Sequence, residues 1–141
     1  MCIRDSRTGL PYSPTISQDL TNTGTTNYPN RMGDGNLPED QRTLARWFDV
    51  AAFQPAQQFV AYGNSGRNIL YGPSATTTDL KIGKNFQIRE RYRLEFRTEM
   101  FNFTNTPNFD RPNTNINLPQ AGQITGAASP RRIQFGLKFI Y

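Results

Sequence analysis

The chain has 141 residues and a formal net charge of +5, from 16 basic and 11 acidic side chains, with no histidine and one cysteine. Without histidine there is no Ser-His-Asp or Cys-His relay and no imidazole metal site, and Cys2 alone cannot form an intrachain disulfide or a multi-thiolate centre. Only 35% of the residues are hydrophobic, well below the roughly 45–50% of compact globular domains, so no catalytic, cofactor-binding or metal-binding residue is assigned and an enzyme is not expected.

The basic charges are scattered, with no run longer than Arg131-Arg132, and nucleic acid is not an expected partner. No window of 18 apolar residues exists, which excludes a membrane-spanning helix. The opening residues 1–6, Met1-Cys2-Ile3-Arg4-Asp5-Ser6, lack the apolar stretch of a signal peptide and read as a spurious leader outside the fold.

Residues 7–76 are rich in Thr, Asn, Gly, Pro and Gln, and read as a long loop region. The stretch Thr21-Asn22-Thr23-Gly24-Thr25-Thr26-Asn27-Tyr28-Pro29-Asn30 carries that composition most strongly. One short helix is expected near 39–48. Pro38 suits a first turn, Glu39 and Asp40 complement the helix dipole, and Leu44, Trp47 and Phe48 fall on one helical face. That face reads as an anchoring cluster under a loop rather than a ligand site. The Gly-rich stretch 63–68 lacks the spacing of a phosphate-binding loop.

From residue 77 to 141 the pattern has period two. Strands are expected at about 77–88, 92–103 and 131–141. Leu80, Ile82, Phe86 and Ile88 alternate with Asp79, Lys81, Gly83, Asn85 and Gln87. Tyr92, Leu94, Phe96, Thr98 and Met100 alternate with Arg93, Glu95, Arg97 and Glu99, and Ile133, Phe135, Leu137, Phe139 and Tyr141 alternate with Arg132, Gln134, Gly136, Lys138 and Ile140. The first connection is tight, at residues 89–91. The second is long, at 104–130.

These strands are longer than the five or six residues of an average globular strand and reach the about 9–11 that a bilayer crossing requires. The preceding loop region offers no second sheet to cover the apolar face, so lipid is the expected cover and a lumen the expected setting of the charged face. The fold class is therefore all-β, with antiparallel strands forming the last part of a transmembrane β-barrel. With the long connections outside, Ile88, Tyr92 and Tyr141 should share one rim and Phe101, Phe103 and Phe109 the other. Lys84 falls on the apolar face and is expected near the periplasmic interface, where its ammonium can snorkel. Arg93, Glu95, Arg97 and Glu99 would face the lumen as a self-neutralising wall or as contacts to a substrate or internal plug. A soluble antiparallel β-sheet module binding carbohydrate or single-stranded nucleic acid is the alternative. It is disfavoured because the aromatics and arginines of 92–97 point to opposite faces. Glu95 and Glu99 share a face, but neighbours of opposite sign keep both ionised, unlike an acid–base pair.

The residues also carry a resemblance. Gly63-Asn64-Ser65-Gly66-Arg67-Asn68-Ile69-Leu70-Tyr71-Gly72-Pro73 followed by Thr78-Asp79-Leu80-Lys81-Ile82-Gly83-Lys84 resembles the barrel end of TonB-dependent outer-membrane receptors of the Oar-like, acidobacterial type. So do Phe96-Arg97-Thr98-Glu99-Met100-Phe101-Asn102-Phe103-Thr104-Asn105-Thr106-Pro107-Asn108-Phe109 and Pro130-Arg131-Arg132-Ile133-Gln134-Phe135-Gly136-Leu137-Lys138-Phe139, and, upstream, Trp47-Phe48-Asp49 with Ala52-Phe53. The likeness covers about residues 38–141. It implies a plugged barrel of about 22 strands, of which this chain would be the C-terminal part. The implied partners are outer-membrane lipid, the rest of the barrel and its plug, and the TonB complex reached through N-terminal parts. It also implies a C-terminal assembly signal, here Ile133, Phe135, Leu137, Phe139 and Tyr141, read by the barrel-assembly machinery.

Overall fold

A computed structural model describes residues 1–20, 22, 24, 27–56 and 62–141. Of the predicted Thr/Asn loop, Thr21, Thr23, Thr25 and Thr26 lie outside the described residues. The strands are β1 (Cys2–Arg7), β2 (Pro11–Tyr12), β3 (Asn30–Arg31), β4 (Phe53–Gln54), β5 (Leu70–Tyr71), β6 (Ala75–Gln87), β7 (Arg93–Phe101) and β8 (Arg132–Ile140). The chain divides into two compact units.

The first unit comprises Met1–Arg7, Ala75–Asn108 and Ala127–Tyr141. It holds a four-stranded antiparallel sheet in the order β1-β6-β7-β8. The period-two pattern builds β6, β7 and β8, within one or two residues of the expected limits. A four-residue turn joins β6 to β7: the Tyr92 N–H donates to the Arg89 carbonyl at 3.1 Å, and the Ile88 N–H to the Tyr92 carbonyl at 2.9 Å. β7 stops at Phe101 rather than 103. Asn102 has φ +49° and Asn105 +53°, left-handed conformations that asparagine tolerates and an extended strand does not contain.

The asparagines of this segment act as a clip. The Asn108 side-chain amide brackets Thr76, accepting from its N–H at 2.7 Å and donating to its carbonyl at 3.0 Å. The Asn102 amide brackets Thr106 in the same way, at 3.0 Å each, while the Asn102 N–H donates to Asp79 Oδ1 at 2.9 Å. Both asparagines are buried. The clip supports the N-terminal end of β6, which begins at Ala75.

Residues 1–6 are expected from the sequence to be a leader outside the fold; instead Cys2–Arg7 form β1 and pair with β6 from Ala75 to Leu80. Their alternation does not match the sheet. Ile3 stands opposite Asp79 on the charged face and Arg4 opposite Thr78 on the other. The pairing is a matter of backbone hydrogen bonds, and every β1 residue is exposed.

The second unit comprises Thr8–Ser74 and Phe109–Gly126. The expected loop proves to be packed about a core of its own. Tyr12, Phe48, Ala52, Phe53 and Leu70 form one cluster, Ile16, Leu20 and Ala56 a second, and Ile116 packs against both. Tyr12 and Phe53 each meet Phe48 edge-on at 6.0 Å, a favoured aromatic geometry. β2 pairs with β5 and β3 with β4.

The helix expected near 39–48 is corrected. Only Glu39–Gln41 is helical, as one 3-10 turn, and a second 3-10 turn spans Val50–Ala52. The backbone N–H groups that a helix would use are taken elsewhere: Trp47 donates to the Gly122 carbonyl at 2.8 Å and Asp49 to the Gly35 carbonyl at 2.9 Å. Leu44 and Phe48 therefore do not share a face; Leu44 is 45% exposed and Phe48 1%.

Asn108→Ala strips Thr76 of both side-chain partners. Leaving such backbone groups unsatisfied costs about 1–3 kcal/mol when they are buried, so the urea midpoint of the detergent-refolded protein should fall by an amount toward the lower end of that range for the half-buried Thr76, while Asn85→Ala at an exposed strand position should lower it less.

Candidate functional site

In an antiparallel sheet, directly opposed residues lie on the same face. The register of β6, β7 and β8 therefore assembles five apolar rows. They are Leu80, Met100 and Ile133; Ile82, Thr98 and Phe135; Lys84, Phe96 and Leu137; Phe86, Leu94 and Phe139; and, beyond the paired ends, Ile88, Tyr92 and Tyr141. Phe96 stacks with Phe135 at 6.3 Å, Tyr92 with Phe139 at 5.8 Å and Phe139 with Tyr141 at 6.3 Å. The face is open along its outer strand: Phe135 is 72% and Leu137 69% exposed, whereas on the central β7 Leu94, Phe96 and Met100 are half-buried between their neighbours and Thr98 is buried. Among the described residues, the hydrophobic clusters lie in the other unit. A soluble sheet would leave no such face open.

The five C-terminal positions Ile133, Phe135, Leu137, Phe139 and Tyr141 thus form one continuous column along β8, which is an edge strand of the sheet. At the hairpin end the Ile88 N–H donates to the Tyr92 carbonyl, and Tyr92 and Tyr141 both stack on Phe139, so the three residues expected at one rim gather at one end of the sheet. The other rim is corrected. Phe101 lies opposite Arg132, whose guanidinium stands 5.9 Å from its ring, and so belongs to the charged face. Phe109 belongs to the second unit. Lys84 sits in the third row, four residues along β6 from Ile88, with Phe86 between them. That is about 13 Å of strand, or about 9 Å of depth at a tilt near 45°, most of which its four-carbon stem can cover.

The opposite face carries Arg93, Glu95, Arg97 and Glu99 in one file along β7, as read from the sequence. Glu99 is the hub. It accepts from Lys81 Nζ at 2.9 Å and from Gln134 Nε2 at 2.6 Å, and Arg97 Nε lies 3.7 Å away. Arg93 and Glu95 pair at 3.4 Å. Lys138 stands opposite Glu95 and Ile140 opposite Arg93. Gly83 and Gly136 flank Arg97 in register, leaving a shallow hollow of about 300 Å³ beside its side chain. Lys81 and Gln134 were not singled out from the sequence. The strand register, once aligned on the two alternations, is the signal that would have found them.

Among the described residues, no helix is long and apolar enough to cross a membrane, and no group of three or more His, Cys, Asp or Glu could hold a metal ion. The sheet presents two chemistries: an apolar surface for a nonpolar solvent, and a face of charged residues with ion pairs for water.

A family model described as an outer membrane beta barrel domain matches residues 3–134, a span that begins inside the segment set aside as a leader. No curated protein and no solved structure matches the chain.

Glu99→Gln removes the shared acceptor of Lys81 and Arg97. Exposed pairs contribute little and are screened by salt. A small drop in urea midpoint is expected at low salt, with none at 1 M salt; an undiminished drop at high salt would contradict a screened wall.

Proposed function

The chain belongs to the outer membrane β-barrel domain family, and its setting is the bacterial outer membrane; from that premise we propose that β6, β7 and β8 are the closing strands of a TonB-dependent receptor that takes up an unidentified substrate. The observation that carries the reading is the apolar face, five rows deep and open along β8, on a sheet whose other face is charged. The likeness of residues 38–141 to Oar-like receptors supplies the finer identity.

Each part has a role in this reading. Hydrocarbon tails cover the column from Ile133 to Tyr141 and its neighbours on β6 and β7. Every backbone group of the spanning strands must find a partner there, since a bilayer core offers none. The free edge of β8 then closes on a strand of the same barrel. The aromatic column ending at Tyr141 is the feature by which the assembly machinery takes up that edge, by strand addition. Arg93, Glu95, Arg97 and Glu99, two charges of each sign that balance one another, line the lumen against the plug, with Lys81 and Lys138 beside them. Energy for uptake comes from the TonB complex through the plug side of the receptor.

Leu137→Arg places a guanidinium at mid-depth on the lipid face and should destabilise folding into phospholipid vesicles by about 2–4 kcal/mol. Gln134→Arg, on the charged face, should cost much less. Equal effects would contradict the assignment of faces. The finer reading is tested on the whole receptor, which should be retained by the immobilised periplasmic domain of TonB; an outer-membrane barrel that is not retained would be a passive one.

A further inference from the structure

The loop unit contains a cleft of about 640 Å³ lined by Glu39, Arg42, Trp47 and Tyr71, with Thr8 and Ser74 at its margin. The helical spacing predicts Trp47 in an anchoring cluster. The chain bends there after the Thr43–Arg46 turn, and successive side chains part company. Phe48 enters the core, and Trp47 lines the cleft.

The cleft is held open by bonds that do not involve its contents. The Trp47 N–H donates to the Gly122 carbonyl at 2.8 Å, and the indole Nε1–H donates to the Tyr71 carbonyl at 2.9 Å. Arg42 Nε donates to the Leu37 carbonyl at 2.7 Å, which leaves the guanidinium 5.9 Å from the indole centroid. Tyr71 is fixed by its register with Pro11 in β2–β5, and the Gly72 N–H donates to the Leu10 carbonyl at 3.0 Å. Gly9 lies in the same wall, and a Cβ on it would overlap the Gly72 carbonyl, so the two backbones meet at a distance only glycine permits. Beneath, the Tyr12 hydroxyl is buried without a hydrogen-bond partner; burial pushes its phenol above the usual range, against the pull of the Arg42 guanidinium. An aromatic-lined cleft with few, fixed polar groups is the general form of a small-ligand site.

The chemistry of the lining selects the ligand class. It contains two aromatic side chains, one carboxylate, one guanidinium and three hydroxyls, those of Thr8, Ser74 and Tyr71. One charge of each sign disfavours a strong anion or cation. The lack of aliphatic side chains disfavours a fatty or terpenoid ligand. A sugar ring suits it, having C–H faces that lie on aromatic rings and vicinal hydroxyls that bridge an acceptor and a donor such as Glu39 and Arg42. We propose that the Trp47–Tyr71 cleft is a binding site for a neutral saccharide. This deepens the receptor reading by naming a substrate class, and rests on it for the site's exposure to the medium outside the cell.

Trp47 is the chain's only tryptophan, so its emission reports on the cleft directly. The protein in detergent micelles is titrated with neutral trisaccharides of glucose, mannose, galactose and xylose, and with citrate and spermine as charged controls. A saturable shift of the emission is expected with at least one trisaccharide and with neither control. Tyr71→Ala should weaken it about tenfold, the loss expected for one stacking ring. Glu39→Gln, at an exposed side chain, should weaken it without altering thermal unfolding. No shift with any trisaccharide, an equal shift with citrate or spermine, or equal affinity in both variants would overturn the proposal. Insertion of the same preparation into lipid vesicles is measured in parallel, so that a failed saccharide site and a failed membrane reading give different results.

Discussion

An amphipathic sheet is stable only if something nonpolar covers its greasy side. Each apolar side chain left in water forgoes about 1.5–3 kcal/mol, and here the deficit runs over five rows of β6, β7 and β8. The charged side has the opposite need. Lys81, Arg97, Gln134 and Glu99 satisfy one another in an open, hydrated network, which in hydrocarbon would carry a heavy desolvation cost. A single sheet with these two faces fits between lipid and an aqueous lumen, and the outer-membrane family to which the chain belongs is built on that division.

The loop unit follows ordinary globular rules. Phe48 and Leu70 are fully buried, aromatic rings meet edge-on, and scattered segments are joined by backbone bonds such as that from Ile124 to the Leu44 carbonyl. Such a core can hold side chains in place without a ligand, and the Trp47–Tyr71 cleft is fixed in this way. The sheet unit has no comparable core among its described residues. The two units solve the burial problem differently, one with its own side chains and one with its solvent.

The strands from β6 to β8 were legible because a period of two needs no knowledge of partners. The file of Arg93, Glu95, Arg97 and Glu99 and the column from Ile133 to Tyr141 followed from that period. What depended on distant partners was not legible. The i, i+3, i+4 spacing of Leu44, Trp47 and Phe48 imitates a helix, and only the Thr43–Arg46 turn and the carbonyls of Gly35 and Gly122 reveal that the segment is not one. The asparagines at 102 and 108 read as generic loop, although they clamp Thr106 and Thr76. β1 was unreadable for another reason: it pairs through its backbone alone, so its side chains carry no pattern.

Lipid contact at Phe135 is the central claim, and it can be read directly. In a Trp47→Phe background, Phe135→Trp and Gln134→Trp place a single tryptophan on opposite faces of β8, in vesicles whose acyl chains carry bromine near the bilayer centre. The account requires strong quenching of the Phe135→Trp emission by the brominated chains and weak quenching by aqueous iodide, with the reverse for Gln134→Trp. Iodide quenching of both, with no effect of the bromines on either, would show that water or protein covers the apolar face, and would contradict the account.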